Sequence, residues 1–437
     1  MEQFYYASDK SGLDAGRILE ALKASISSIM DQGKAFPESG PGKVLIVGPD
    51  YSRFHSNAGL ISNLYYHLFR EMGCRTDILI AAGTHEGMSD EQLRVMYGDI
   101  PRECFFHHDF RKDVVRLGQV DAAYVSELSE GLFPETIDVE INRRILDESY
   151  DLILSVGQVV PHEVVGMANY SKNLFVGAGG ASMINKSHML GAVYGMERIM
   201  GKDHTPVRDV FDYALTHYLQ DRPIVFVQTV CTADGADIHM HGLFIGDTRA
   251  VFEKAVELAQ KTNIDFVQTG IRKCVVWLDP EEFTSTWIGN KAIYRTRMAI
   301  ADGGELLILA PGVRRFGEAP ELDALIRKYG YTGRDHILEE SRKKENEDLQ
   351  ENMSAAAHLI HGSSDGRFTI TYAVRDISTD EIRKAGFEAA LVEEMVKRYD
   401  PARLAPGYNT MPDGEEIFFI PNPALGLWIN REKFAGE

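Results

Sequence analysis

With 437 residues, 44% of them apolar, and a formal net charge of −19, the chain has material for more than one buried core, and its acidity argues against a general binder of nucleic acid or anionic membranes. Its four cysteines, Cys74, Cys104, Cys231 and Cys274, are scattered with no C-x-x-C pair, which argues against a zinc ribbon or a disulfide framework and suits a reducing compartment. No apolar run approaches the ~18 residues of a membrane span, and the N-terminal stretch lacks the basic start and apolar centre of a signal peptide, so a soluble, cytoplasmic protein is expected.

In chain order, Ala15–Met30 predicts a helix, and the β-branched run Lys43–Val47, entered through the Pro/Gly-rich stretch Phe36–Gly42, predicts a buried strand. That strand ends in Gly48-Pro49-Asp50-Tyr51-Ser52-Arg53, a turn that opens a helix over Asn57–Met72. Thr76–Ile80 predicts a second strand, ending in Gly83-Thr84-His85, and Ser89 with Gln92 has the spacing of a capping box for a helix over Glu91–Tyr97. Alternating strand, loop and helix marks a parallel, doubly wound sheet, which keeps its ligands at the carboxyl ends of its strands. Asp50, Arg53 and His85 belong to that edge, with Asp50 either capping its turn or meeting a substrate.

A third apolar run, Leu152–Val156, leads into residues 161–190, PHEVVGMANYSKNLFVGAGGASMINKSHML. His162 and His188 titrate near neutrality in an ordinary setting, and Lys172 becomes a nucleophile once desolvated. The backbone amides of Gly179 and Gly180 are suited to cradling a phosphate. Two histidines and a lysine within so short a stretch are common, so their spacing must carry the case.

Pro223–Ile245 predicts a hairpin turning at Asp234-Gly235; His239 and His241 on one face of it read as sheet surface more readily than as a metal site, and His107, His108, His358 and His361 make no stronger case for one. After a helix over Thr248–Gln260 the pattern restarts with strands at Ile264–Gln268 and Lys273–Leu278, which divides the chain into residues 1–260 and 261–437, with the last ~40 residues free to return to the first domain. Thr284-Ser285-Thr286 predicts the cap of a helix on which Trp287 and Lys291 share a face, running to Asp302-Gly303-Gly304 before a strand at Glu305–Leu309. A solvated charged helix over His336–Met353, a strand at Phe368–Ala373, a helix over Thr379–Tyr399 and a strand at Ile417–Phe419 complete the pattern. The expected fold is two α/β domains with mostly parallel sheets and an active-site cleft between them.

These residues carry a resemblance to the nickel-pincer-nucleotide-dependent lactate racemase family. That family has a Pro-His, a lysine ten residues later and a second histidine sixteen beyond, intervals that His162, Lys172 and His188 reproduce. Asp50-Tyr51-Ser52-Arg53 matches its Asp-x-x-Arg, Gly83-Thr84-His85 its Gly-x-His, and Lys291 the lysine of its Tyr-x-x-x-Lys. The resemblance implies Lys172 as the tether of the cofactor, near Gly179 and Gly180, and His188 as the nickel ligand. It implies His85 and His162 as the two proton-transfer bases, Arg53 as the grip on the substrate carboxylate, and Lys291 as a substrate contact from the second domain. Two departures stand out: Ala168-Asn169-Tyr170-Ser171 replaces the family's Ser-Gly-Gly-Arg before the lysine, and Trp287 replaces the tyrosine.

The implied activity is a racemase or epimerase inverting C2 of a 2-hydroxy acid by hydride transfer to and from a lysine-tethered nickel-pincer nucleotide. The departures point to a larger or more polar acid, such as an aldonate, in place of lactate. Cofactor-building enzymes are the implied partners, and protein made without them would lack the cofactor. The alternative is a non-catalytic 2-hydroxy acid or nucleotide binding protein that retains the fold; against it, Lys172, His188, His85 and His162 are all kept. A nicotinamide dehydrogenase is disfavoured because no G-x-G-x-x-G follows an early strand.

Overall fold

Three of the apolar runs become neighbouring parallel strands, as runs without polar alternation must when both faces of a sheet are covered. In the computed structural model, which describes residues 1–8, 11–31, 42–234, 237–424 and 426–435, the chain divides into two compact units. The first comprises Met1–Leu190 and Ile199–Asn263, the second Gly191–Arg198 and Ile264–Glu437. Among the described residues no helix is long and apolar enough to cross a membrane.

The first unit contains β1 (Phe4–Ala7), β2 (Lys43–Pro49), β3 (Arg75–Ala81), β4 (Phe105–His107), β5 (Val114–Val120), β6 (Ile137–Asn142), β7 (Leu152–Gln158), β8 (Pro161–His162), β9 (Gly166–Met167), β10 (Ile224–Asp234) and β11 (Asp237–Gly246). Seven of these form one sheet in the order β1-β11-β10-β7-β2-β3-β4, in which β11 alone runs antiparallel to its neighbours. Strands β5 and β6 form an antiparallel ribbon, and β8 and β9 a small one. From β2 the chain moves to β3 and β4 on one side, and later to β7 and β10 on the other. The carboxyl ends of β2 and β7 therefore flank the topological switch point, where loops diverge and leave room for a ligand.

The helix Ala58–Glu71 covers these strands, and at Gly59 an added Cβ would lie 2.0 Å from the Met96 carbonyl oxygen, so only glycine lets that helix touch Asp90–Tyr97. The capping box read at Ser89 and Gln92 is formed in both directions. The hairpin of β10 and β11 is present, with a bulge between Val230 and Cys231, while the Asp234-Gly235 turn and the Phe36–Gly42 connection fall partly outside the described residues.

The second unit contains β12 (Asp265–Val267), β13 (Ile271–Trp277), β14 (Ile300–Leu309), β15 (Thr369–Val374), β16 (Glu388–Leu391), β17 (Gly407–Thr410), β18 (Glu416–Ile420) and β19 (Trp428–Asn430). Its six-stranded sheet has the order β16-β15-β14-β13-β18-β17, parallel except for β17, and β12 pairs with β19. Three expectations are corrected here. The helix after Ser285 ends at Thr296 instead of Asp302-Gly303-Gly304; those glycines belong to β14, where Gly303 at φ 75° donates its N–H to the Arg367 carbonyl and the pairing with β13 shifts by three residues. A glycine pair that reads as a helix stop is here a strand bulge. The helix over Thr379–Tyr399 is also interrupted: Gly386 at φ 98° turns the chain, and Glu388–Leu391 satisfies its backbone as an edge strand beside β15 before a second helix, Val392–Arg398. The charged segment at His336–Met353 is likewise split between the helices Arg334–Arg342 and Glu347–Glu351.

Candidate active site

At the end of β2 the Asp50 side chain accepts the Ser52 N–H at 3.0 Å and the Ser52 hydroxyl at 2.5 Å, capping the short turn Tyr51–Ser56 that carries Arg53. Its other oxygen accepts from His85 Nδ1 at 2.5 Å. Asp50 is buried, which alone would raise its pKa, but the bond and charge of His85, with Ser52 and Arg53, hold it below the usual carboxylate value. An ionised carboxylate fixes His85 with its proton on Nδ1, so Nε2, on a largely exposed ring, keeps a lone pair. The capping reading of Asp50 is thus met, and a second task, orienting His85, accompanies it.

Strand β7 leads into the β8–β9 ribbon, which buries His162. The Val164 N–H, which can only donate, points at His162 Nδ1 at 3.1 Å, so His162 carries its proton on Nε2. Burial drives the His162 pKa well below the ordinary value; Lys172, Arg53 and His188 push the same way, against the Glu163 charge. The two histidines consequently differ: at Nε2, His85 offers a lone pair and His162 an N–H.

The loop after β9 contains Asn169 at φ 67° and Tyr170 at φ 56°, two successive left-handed residues without a glycine, a conformation that costs ~1–2 kcal/mol for each. It delivers Lys172 to the start of a π-helical turn, Asn173–Gly177. The Asn173 amide donates to the Val47 carbonyl on β2 at 3.2 Å and to Ser155 Oγ on β7 at 3.0 Å, pinning its neighbour Lys172 at the switch point. Burial brings the Lys172 pKa down to about 7, helped by Arg53 and Arg208 and opposed by Glu163 and Asp50. Unfolded, the same amine titrates near 10.5. Between those values the unfolded chain binds a proton that the folded chain does not, so folding stability rises with pH across that window. Lys172→Met is expected to melt higher than wild type at pH 7, with the gap closing as the pH approaches 10.5; equal melting across the range would show that the amine is not desolvated.

His188 lies on the helix Ala181–Tyr194, where its Nδ1 donates to the Ile184 carbonyl at 2.6 Å, leaving Nε2 as the lone-pair nitrogen. That is the outer bond by which a metal-ligating histidine is normally held. Burial takes its pKa down to about 4, so it is neutral and able to ligate across the physiological range. Gly179 and Gly180 are explained by packing: a Cβ at Gly179 would meet the Phe175 carbonyl oxygen at 1.8 Å and one at Gly180 the Glu140 carboxylate at 2.3 Å. Glu140 also accepts the Ser182 N–H, so a carboxylate already covers the first turn of that helix.

Asp50, Arg53, His85, His162, Lys172 and His188 all belong to the first unit; Trp287 and Lys291 belong to the second. Asp50 and His85 touch, and Arg53, His162 and His188 each act electrostatically on Lys172 or are acted on by it. Trp287 stacks on His358 with ring centres 3.8 Å apart, and His358 bonds the hydroxyls of Tyr294 at 2.7 Å and Tyr331 at 3.2 Å, so that histidine is buried and satisfied in the core. His108 is also buried, on the Gly179 carbonyl and Asn142, as is His241, on Thr232. A cluster that the sequence did not single out, Asp203, His204 and Glu253, already surrounds the Arg249 guanidinium, a cation in the place a metal would take.

Two unlike histidines, a desolvated lysine and a third imidazole thus belong to the loops and helix that follow the strands of a doubly wound sheet. Residues 14–199 match the family model of the lactate racemase N-terminal domain. Among solved structures it is similar to the lactate racemase apoprotein from Thermoanaerobacterium thermosaccharolyticum, at 15% identity and a TM-score of 0.67 over 98% of this chain and 100% of that one. It is also similar to a structural-genomics crystal structure of a Thermotoga maritima protein, at 23% identity and a TM-score of 0.78 over 97% and 99% of the two chains. At such identities the likeness establishes the fold, mixed α/β with largely parallel sheets. No curated protein matches the chain.

Proposed function

We propose that the protein is a racemase or epimerase acting at C2 of a 2-hydroxy acid. The observation that carries this reading is the pairing of opposite tautomers, His85 held by Asp50 with Nε2 ready to accept a proton and buried His162 with Nε2 ready to give one. Inversion needs such an arrangement, because a planar 2-keto acid must be able to exchange its oxygen's proton with a group on either side. The donor set also fits a tethered nickel-pincer nucleotide: Lys172, whose amine loses its proton from about pH 7 upward, would carry it, and His188 Nε2 would ligate its metal. When bound, that group supplies a hydride acceptor, which spares the protein from ionising a weakly acidic C–H bond.

The chain's own residues then have separable tasks. Arg53, at φ −113° and ψ 31° inside its turn, binds the carboxylate through its planar fork and fixes the face that C2 presents. His85 takes the hydroxyl proton at Nε2, and Asp50 stabilises the imidazolium that results. His162 donates from Nε2 to the oxygen on the opposite course, and its burial excludes water that would compete for the proton. Lys291 and Trp287 are assigned to the substrate on matched spacing alone, and Trp287 in place of a tyrosine favours an acid larger than lactate, such as an aldonate.

The test uses protein co-expressed with cofactor-building enzymes and single enantiomers of lactate and of aldonates deuterated at C2. Inverted product that retains its deuterium is expected, since hydride leaves and returns without meeting solvent. Inversion with washout of the label into water would replace this mechanism with direct proton abstraction.

A further inference from the structure

The first unit holds a fully buried arginine that the proposed reaction does not use. Arg208 lies on the helix Pro206–Tyr218 among Val207, Val210, Phe211 and Ala214, on a face that is otherwise apolar. Its Nη2 donates to the Met167 carbonyl at 2.6 Å, and its Nη1 to the Asn169 carbonyl at 3.2 Å and to Ser171 Oγ at 2.7 Å. The Ser171 hydroxyl in turn donates to Asp212 at 2.5 Å, and Asp212 is paired with Arg249. All of the loop atoms held by the guanidinium lie within the five residues before Lys172.

That loop needs holding. Asn169 and Tyr170 are the only adjacent pair of left-handed residues other than glycine among the described residues, and a bulky tyrosine resists that conformation. The Tyr170 ring stacks on Phe252 at 5.2 Å, and the Arg208 guanidinium lies over the same Phe252 ring at 4.4 Å, so arginine and tyrosine close on one aromatic from the two ends of the turn. A buried guanidinium is costly unless its donors are placed, and here the three bonds from its terminal nitrogens all go to one loop, while Nε has no partner among the described residues.

We propose that Arg208 is the positioning residue of Lys172: through Met167, Asn169 and Ser171 it fixes the left-handed turn that presents the lysine amine at the switch point. The proposal rests on the reading of Lys172 as the reactive amine of the site. Its geometry also explains how this chain tolerates Ala-Asn-Tyr-Ser before the lysine, since a residue from a distant helix supplies the cation and the bonds that stiffen the loop. The charged and titratable groups around the amine are Arg53, Asp50, His162, Glu163, His188 and Arg208 itself, and only the last is tied to the loop backbone by several bonds.

The test is the pH profile of Lys172 acetylation by acetic anhydride, read by peptide mass spectrometry on the full chain made without cofactor-building enzymes. Wild type is expected to show a midpoint near 7. In Arg208→Met the turn relaxes and a neighbouring cation is lost, so the midpoint moves up toward an ordinary lysine by more than about one pH unit, with partial return in Arg208→Lys. A residue that merely supports the fold would lower the melting temperature and leave the midpoint where it was, and that result overturns the proposal. Should Arg208→Met fail to fold, Ser171→Ala keeps the guanidinium and removes its hold on the residue beside Lys172; an upward midpoint supports the assignment and an unmoved one overturns it. Because no cofactor is present, failure here leaves the tether reading standing, and failure of the tether leaves this result readable.

Discussion

Replacing His162 with glutamine is expected to lower racemisation by about 10³-fold while changing substrate affinity by less than about 3-fold. Glutamine fills much of the same volume and still offers an N–H, but it cannot exchange a proton. His162 is neutral because it is buried, and the Val164 amide commits its Nδ1, so Nε2 is the one nitrogen left to serve the substrate oxygen. His85 cannot substitute for it, since the Asp50 bond fixes the other ring with the opposite tautomer. A loss of less than about 10-fold, below the usual contribution of a general acid or base, would remove His162 from proton transfer and leave it as a buried structural histidine.

The second large effect falls on Lys172. Its amine is a buried nucleophile at the switch point, brought to about 7 by desolvation and by Arg53, and its neighbour Asn173 is bonded to both β2 and β7. Lys172→Ala removes that amine and leaves the strands untouched, so activity is expected to vanish while the fold survives. The melting gain expected for Lys172→Met at neutral pH separates the two consequences: a residue retained against stability is retained for chemistry.

Strands β2, β3 and β7 were legible because strands covered on both faces are written as unbroken apolar runs, and the Ser89–Gln92 box because a cap is a local interaction. From those strands alone the edge that gathers Asp50, Arg53, His85 and His162 follows, and the structure has them at that edge. The short edge strands β1, β16, β17 and β19 were not legible, since three or four residues with one exposed side carry no period to read. Gly303 misled because a positive φ looks alike in sequence whether it ends a helix or bends a strand, and Gly386 was passed over inside a helical pattern. The dual bonding of Asp50 and the role of Arg208 depend on partners 35 to 41 residues away, which spacing does not reveal. One signal for Arg208 was present: a single arginine on the apolar face of Pro206–Tyr218, where a charge is buried only if something distant receives it.

The decisive measurement is intact denaturing mass spectrometry with nickel analysis on wild type and Lys172→Ala, both co-expressed with the cofactor-building enzymes. A covalent adduct and bound nickel on wild type, with the adduct absent from the variant, is the expected result. An unmodified wild-type chain, obtained in a host that loads a lactate racemase under the same conditions, would contradict it and leave a protein with the fold of the family but without its tethered chemistry.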